Sequence, residues 1–133
     1  MPAKIRTDIG RAALAAVQAS LTHTAAPDDS PESRGSGPDR AQLATAVRYL
    51  LQLLVEKAPG GTVEVRVPPY AAVQVIEGPR HTRGTPPNVV ETDPLTWIAL
   101  ATGTESWADA HRAGRIHASG TRADISALLP LHP

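Results

Sequence analysis

The sequence predicts an α+β fold, with a mostly antiparallel sheet of four or five strands packed by helices. Three observations point there. The stretch TVEVRV, residues 62–67, alternates apolar and polar side chains without a break, which is the period of a half-buried strand. Helical periodicity is gathered in blocks before and after the strands instead of alternating with each of them. Glycine or proline stands at most boundaries between periodic segments, as at Pro59-Gly60-Gly61, Pro68-Pro69, Gly78-Pro79, Gly103, Gly114 and Pro130.

Residues 4–22 read as a helix whose apolar stripe is Ile5, Ile9, Ala12 and Ala16, continued by Ala13 or Ala19. Residues 23–38, HTAAPDDSPESRGSGP, hold almost no large apolar group. Such a segment buries too little surface to offset the entropy of ordering, which predicts a flexible linker. The chain thus divides into an N-terminal helix (1–22), a linker (23–38) and a domain (39–133). The helix over 39–57 carries the strongest signal: Asp39 can cap it, and Leu43, Val47, Leu50, Leu51, Leu54 and Val55 recur at helical spacing. In the strand that follows, Val63, Val65 and Val67 share one face. Pro68 and Pro69 break it, and AAVQVIE (71–77) reads as a second strand, antiparallel to the first.

After a loop from Arg80 to Pro87, NVVET (88–92) reads as a third strand. Asp93 is a good N-cap, and Pro94 takes the first helical position, where its missing N–H costs nothing. Leu95, Ile98 and Ala99 share a face of that helix, with Trp97 on its shoulder, and Gly103 ends it. Ser106 caps the next short helix, with Asp109 as a shorter stand-in for the Glu or Gln of a capping box. RIHAS (115–119) alternates again, with Ile116 and Ala118 inward. Thr121 with Asp124 caps a last helix running through Leu129, with Ile125, Leu128 and Leu129 as its core face. A fifth strand requires residues 83–87 to pair, against two prolines.

Composition removes several function classes. A chain of 133 residues makes one domain that buries roughly two thirds of its unfolded surface. The absence of cysteine excludes disulfides, thiolate metal ligands and a cysteine nucleophile. Thirteen basic residues balance thirteen acidic ones, so the overall basic field that nucleic acid requires is missing. Trp97, Trp107, Tyr49 and Tyr70 are the only aromatics, too few for a base-stacking platform. Only Lys4 and Lys57 are lysines; with so much Ala, Val and Pro, this reads as GC-rich codon usage and not as phosphate binding.

Lys4, Arg6, Asp8 and Arg11 interrupt the N-terminal stretch, which is therefore not a secretory core. No run approaches the roughly 18 apolar residues of a membrane span. A cytoplasmic protein without stable membrane insertion is expected. His111 and His117 sit near Asp109, but one is on a helix and the other on a strand, so neither a metal site nor a cofactor is expected. Ser106 and Ser119 lack the surroundings of a nucleophile elbow, so no catalytic residue and no enzyme is expected.

From about residue 62 to 130 the pattern resembles the sterol carrier protein family. NVVET, then DPLTWIALATG, then WADAHRAG, then RIHASG looks like that family's run of strand, capped helix ending in Gly, helix ending in Gly, and strand ending in Gly. With GPRHTRGTPPNVVETDP included, the chain is similar to the bacterial sterol carrier-like branch found in actinobacteria. The resemblance implies a five-stranded sheet with helices packed on it and an apolar tunnel between them for sterols, fatty acyl chains or other lipids. It implies a carrier and not a catalyst. The chain departs from the animal pattern in its Ala and Pro content, its lack of Phe and its short final helix.

A tunnel of that kind needs an apolar lining. The candidates are Val65, Val67, Val73, Val75, Val89 and Ile116 from the strands. Leu95, Trp97, Ile98, Trp107 and Leu128 join them from the helices. The same side chains would equally pack a solid core. At a tunnel mouth Arg80, His81 and Arg83 would hold an anionic head group, since guanidinium forks suit carboxylate and phosphate. Otherwise they form a solvated loop or pair with Glu77 and Glu91.

The leading expectation is therefore a small binding protein whose partner is a hydrophobic small molecule or lipid. One alternative is an interaction domain with a filled core, whose N-terminal helix docks on a protein partner or a second copy. The other is a standalone relative of accessory domains of thiol-dependent enzymes.

Overall fold

The computed structural model describes residues 4–24, 38–78 and 87–133. Residues 25–37 of the expected linker, and the loop with Arg80, His81 and Arg83, lie outside the described residues.

Helix α1 (Thr7–Thr24) packs on helix α2 (Arg40–Lys57). The buried side of α1 is Gly10, Ala13, Leu14 and Val17, not the expected Ile9–Ala12 stripe; Ile9 is 51% exposed. Alanine occurs all around this helix, so small residues do not define a face. The larger Leu14 and Val17 do, and Gly10 lets the backbone lie against the ring of Tyr49. A Cβ at position 10 would stand 2.3 Å from that ring. Asp39 caps α2 as expected, accepting from the Ala41 N–H at 2.7 Å. Helix α2 buries Val47, Leu51 and Leu54 on one side and Tyr49, against α1, on another, so it is enclosed from two directions.

Among the described residues, four strands form one sheet: β1 (Val63–Val67), β2 (Ala71–Val75), β3 (Val89–Thr92) and β4 (Ile116–Ser119), in the order β2-β1-β3-β4. Two pairings are antiparallel, β1 with β2 and β3 with β4. The third, β1 with β3, is parallel, so the sheet is mixed. The hairpin occupies one edge of β1, and β3 is added along the other in the same direction as β1. The expected hairpin forms across Pro68 and Pro69, with the Tyr70 N–H donating to the Val67 carbonyl at 3.0 Å.

Register decides which valines face the helices. Val65 lies beside Val73 of β2 and Val90 of β3. Val90, not Val89, therefore shares the inner face with Val65, and Val89 points to the other side of the sheet. A one-residue slip reverses every side chain of a strand. In NVVET two adjacent valines leave the alternation without a preferred phase.

Helix α3 (Pro94–Thr102) begins at Asp93, whose Oδ2 accepts from the Thr96 N–H at 3.0 Å. It ends at Gly103, where φ of 82° favours glycine. Its buried residues are Thr96, Trp97, Ile98, Leu100 and Ala101, whereas Leu95 is 41% exposed. The helix is apolar nearly all round, so its period does not select a face. Trp97, expected at the margin, lies in the centre of the core. Helix α4 (Trp107–Arg112) is capped by Ser106, whose Oγ accepts from the Asp109 N–H at 3.1 Å.

The expected last helix is reduced to a 3-10 turn, Ser126–Leu128. Asp124 accepts from the Ser126 N–H at 2.8 Å and turns the chain at once. Only a few residues then separate this turn from Pro130, too few to establish α-helical bonding. The tail closes over the ends of two helices instead. The Leu131 N–H donates to the Ala101 carbonyl at 2.7 Å, and Lys57 Nζ donates to the Leu128 carbonyl at 2.8 Å.

Candidate ligand site

The inner face of the sheet, α2 and α3 enclose one apolar interior. Val65, Val67, Val75, Trp97, Ile98 and Ile116 all belong to it, and Val73, Trp107 and Leu128 pack against it partly buried. Of the expected lining, Val89 and Leu95 stand apart. Val89 is buried on the other side of the sheet, and Leu95 faces outward. Leu50, Leu54, Val90 and Leu100 take part in the same interior although they were not singled out as lining from the sequence. Size and helical phase were the available signal for Leu50 and Leu54, whereas Val90 and Leu100 lie in apolar runs whose period selects no face.

The interior is closed in this conformation. Val63, Val65, Val67 and Val75 have 0% accessible surface, and Trp97 has 1%. A side chain bordering a hollow wide enough for a water molecule would show surface to it. These do not, so no space for a hydrocarbon chain touches them. Trp97 also has its polar atom satisfied, since Nε1 donates to the Val47 carbonyl at 3.3 Å. Thus one ring ties α3 to α2 at the middle of the layer.

Among the described residues, two of the open grooves lie outside this interior. One, of about 410 Å³, runs along the outer side of the sheet past Arg66, Val89, Glu91, His111 and His117. Register aligns Arg66 with Glu91, and Glu91 with His117, across three strands. Arg66 is held by the neighbouring Glu64, so one guanidinium faces two carboxylates on this side of the sheet. The other groove, of about 490 Å³, is bordered by Trp107, His111, Arg112 and Asp124. Both are lined largely by polar groups and offer little to a hydrocarbon. Among the described residues, no three His, Cys, Asp or Glu side chains are placed to hold a metal ion. No helix among them is long and apolar enough to cross a membrane.

One polar network supports the edge of the layer. Arg115 makes a two-pronged ion pair with Glu105 and donates to Thr96 Oγ1 at 3.3 Å. Thr96 Oγ1 in turn donates to Asp93 Oδ1 at 2.6 Å. The start of α3, the turn before α4 and the start of β4 are thereby linked. Sequence spacing held no sign of the Arg115 contacts, because Arg115 lies ten or more residues from Glu105 and Thr96.

The hydrogen bond from Arg115, followed by its charge, holds the Glu105 carboxyl below its ordinary 4.5 and holds the guanidinium protonated more firmly still. A lowered carboxyl adds stability above the unfolded value and loses it as the pH falls through the folded one. Glu105→Gln should therefore lower the melting temperature at pH 7. The difference from the parent chain should shrink as acid protonates Glu105. Melting curves at pH 7, 5 and 3 check this, and a gap that widened toward pH 3 would contradict it.

The architecture defines a small α+β module built around an apolar layer between a mixed sheet and two helices. The family is shown by sequence comparison: the model described as a bacterial SCP ortholog matches residues 39–131, and the chain belongs to this sterol carrier protein-like bacterial family. No curated protein matches the chain. The family suggests a role in lipid binding and is generally non-catalytic.

Proposed function

We propose that the protein is a non-enzymatic, cytoplasmic binding module for a lipid, fatty acyl chain or similar hydrophobic ligand, and that its site is closed when empty. The observation that carries this reading is family membership over residues 39–131, a span that includes the four described strands and the helices packed on them. The interior those elements enclose is apolar and continuous, which is the environment an alkyl chain requires. Because Val65, Val67, Val75 and Trp97 are in full contact, a ligand enters only as packed elements move apart. Ile98, Ile116 and the partly buried Val73, Trp107 and Leu128 would then be the walls nearest to it.

In this reading Arg80, His81 and Arg83 hold the anionic head of the ligand. Arg80→Ala combined with Arg83→Ala should weaken binding of a long-chain fatty acid about tenfold, the loss of about one charge-assisted hydrogen bond. Its methyl ester should be affected much less. Fluorescence titration of both ligands reads the difference, and equal losses would remove the head-group role.

A second reading is favoured by one observation. The complete burial of Val63, Val65, Val67 and Val75 is what a filled interaction domain would show. Native mass spectrometry of gently purified protein separates the two. Co-purified lipid, or stoichiometric uptake of a fluorescent fatty acid, supports the carrier; an empty chain that takes up neither supports the interaction domain.

A further inference from the structure

We infer that Lys57 is a head-group residue for the carboxylate of a fatty acid, and that it takes the carboxylate in exchange for the Leu128 carbonyl, which loosens the C-terminal segment over the apolar interior. The inference rests on the ligand-binding reading and assigns the polar end of the ligand a contact at the border of that interior.

The segment around Leu128 is held mainly by its side chains. Ala123 and Ile125 are buried, and Leu128 and Leu129 pack partly buried against the interior that contains Val65 and Trp97. Its polar ties are few. The Arg122 N–H donates to Asn88 Oδ1 at 3.0 Å, and the Leu131 N–H donates to the Ala101 carbonyl at 2.7 Å. Between these two anchors, among the described residues, one hydrogen bond reaches the rest of the chain: Lys57 Nζ donates to the Leu128 carbonyl at 2.8 Å. Parting it frees the cover at Leu128 and leaves the strand pairings and the Trp97 bond to α2 in place.

Lys57 is a cation without a carboxylate. It stands exposed at the end of α2, and Glu56 beside it is engaged by Lys4 at 3.1 Å. Among the described residues, no carboxylate comes within ion-pair distance of Lys57 or of Arg122. Both cations belong to one end of the layer. The Ile76 N–H donates to the carbonyl of Ala58, next to Lys57, at 2.7 Å. Two residues further on, a Cβ at Gly78 would lie 3.1 Å from Arg122 Nη1. Glu77, between them, is exposed and joined to neither cation. The stretch that carries Arg80, His81 and Arg83 therefore starts, at Gly78, from the end of the layer where Lys57 stands.

A main-chain carbonyl offers the ammonium a dipole, whereas a carboxylate offers it a full negative charge, so the exchange favours the anion. The ammonium sits on a flexible stem and changes acceptor without any movement of α2. Its exposure keeps the gain modest, as for other solvated ion pairs. The same exposure leaves the head group in water while the alkyl chain passes inward beneath Leu128. A neutral ester of the same length gains nothing from the exchange.

Titration of the full chain with palmitic acid and with methyl palmitate tests this. Lys57→Met keeps most of the stem and removes the charge; Lys57→Arg keeps a cation. Lys57→Met should weaken palmitic acid about threefold, the scale of one exposed ion pair. It should leave methyl palmitate unchanged or tighter, since the tie at Leu128 is then gone. Lys57→Arg should retain the preference for the acid. Palmitic acid labelled at its carboxyl carbon gives a second readout by NMR. Its bound carboxyl should titrate at lower pH in the parent chain and in Lys57→Arg than in Lys57→Met, because a neighbouring cation favours the ionised form. Bound palmitic acid should also speed amide exchange at Leu128 and Leu129 while the strands stay protected.

Equal changes for acid and ester in Lys57→Met, or a carboxyl titration that this variant leaves unmoved, overturn the head-group role and leave the ligand-binding reading standing. Unchanged exchange at Leu128 and Leu129 overturns the release of the segment. Binding of neither ligand by the parent chain overturns both the role of Lys57 and the reading on which it rests.

Discussion

Trp97→Ala is expected to lower the unfolding free energy by about 3–5 kcal/mol, the range for removing a fully buried large aromatic side chain. Trp97 is among the largest fully buried side chains, in a chain with no phenylalanine to fill the space. It also anchors α3 to α2 through the hydrogen bond to Val47. Domains of this size commonly have about 5–15 kcal/mol in total, so the loss is a large share of stability. Trp97→Phe separates the two contributions: it keeps an aromatic ring, removes the indole donor and should cost about 1–3 kcal/mol. Urea unfolding at constant slope is the measurement. A cost below about 1 kcal/mol for the alanine variant would contradict the closed packing around this ring, since a hollow already beside it would leave little contact to lose.

Gly120→Ala should be nearly as damaging, and for a different reason. Gly120 has φ of 102°, where an L side chain is strained. Its Cβ would also lie 2.2 Å from the Pro87 carbonyl oxygen and 2.5 Å from Asn88 Oδ1. Neither can yield cheaply. Asn88 is buried and fully engaged: Nδ2 donates to the Thr62 carbonyl and Oδ1 accepts from the Arg122 N–H, both at 3.0 Å. A methyl group at 120 would displace the side chain that joins the start of β1 to the C-terminal segment. Backbone strain of roughly 1–2 kcal/mol and steric overlap of roughly 1–3 kcal/mol together predict a loss of about 2–5 kcal/mol. Thermal unfolding checks it; a melting temperature unchanged from the parent chain would refute the close approach.

Local chemistry in the sequence predicted many boundaries correctly, because caps and breakers act within a few residues. Asp39, Asp93, Ser106 and Gly103 do in the structure what their positions implied. The same reasoning failed wherever several residues were equivalent by type. Ile9 against Leu14 in α1, Leu95 against Trp97 in α3, and Val89 against Val90 in β3 are each a choice of face within an apolar run. Such a choice is made by the partner surface. The last helix failed for a related reason: Asp124 turns the chain just before Ser126, Pro130 bars continuation, and the few residues between them could not sustain an α-helix.

The candidate site was less legible than the fold. The apolar layer was visible as a set of residue types, and most members of the expected lining do meet in one interior. Whether such residues border a hollow or touch one another depends on fractions of an ångström between elements distant in the chain. Nothing in composition or period reports that distance. The basic loop at 80–83 was visible as chemistry, while its relation to the interior depends on where the loop runs.

By itself the sequence determined most of the element types and caps, the lack of any thiol chemistry and the family of the domain. All of these follow from residue identity and short-range order. Only the tertiary structure decided that β1 and β3 run parallel, that Trp97 is the centre of the core, and that α1 lies against Tyr49 across a glycine. These depend on pairing between segments far apart in the chain, where register and steric fit select among arrangements that local preferences leave equal.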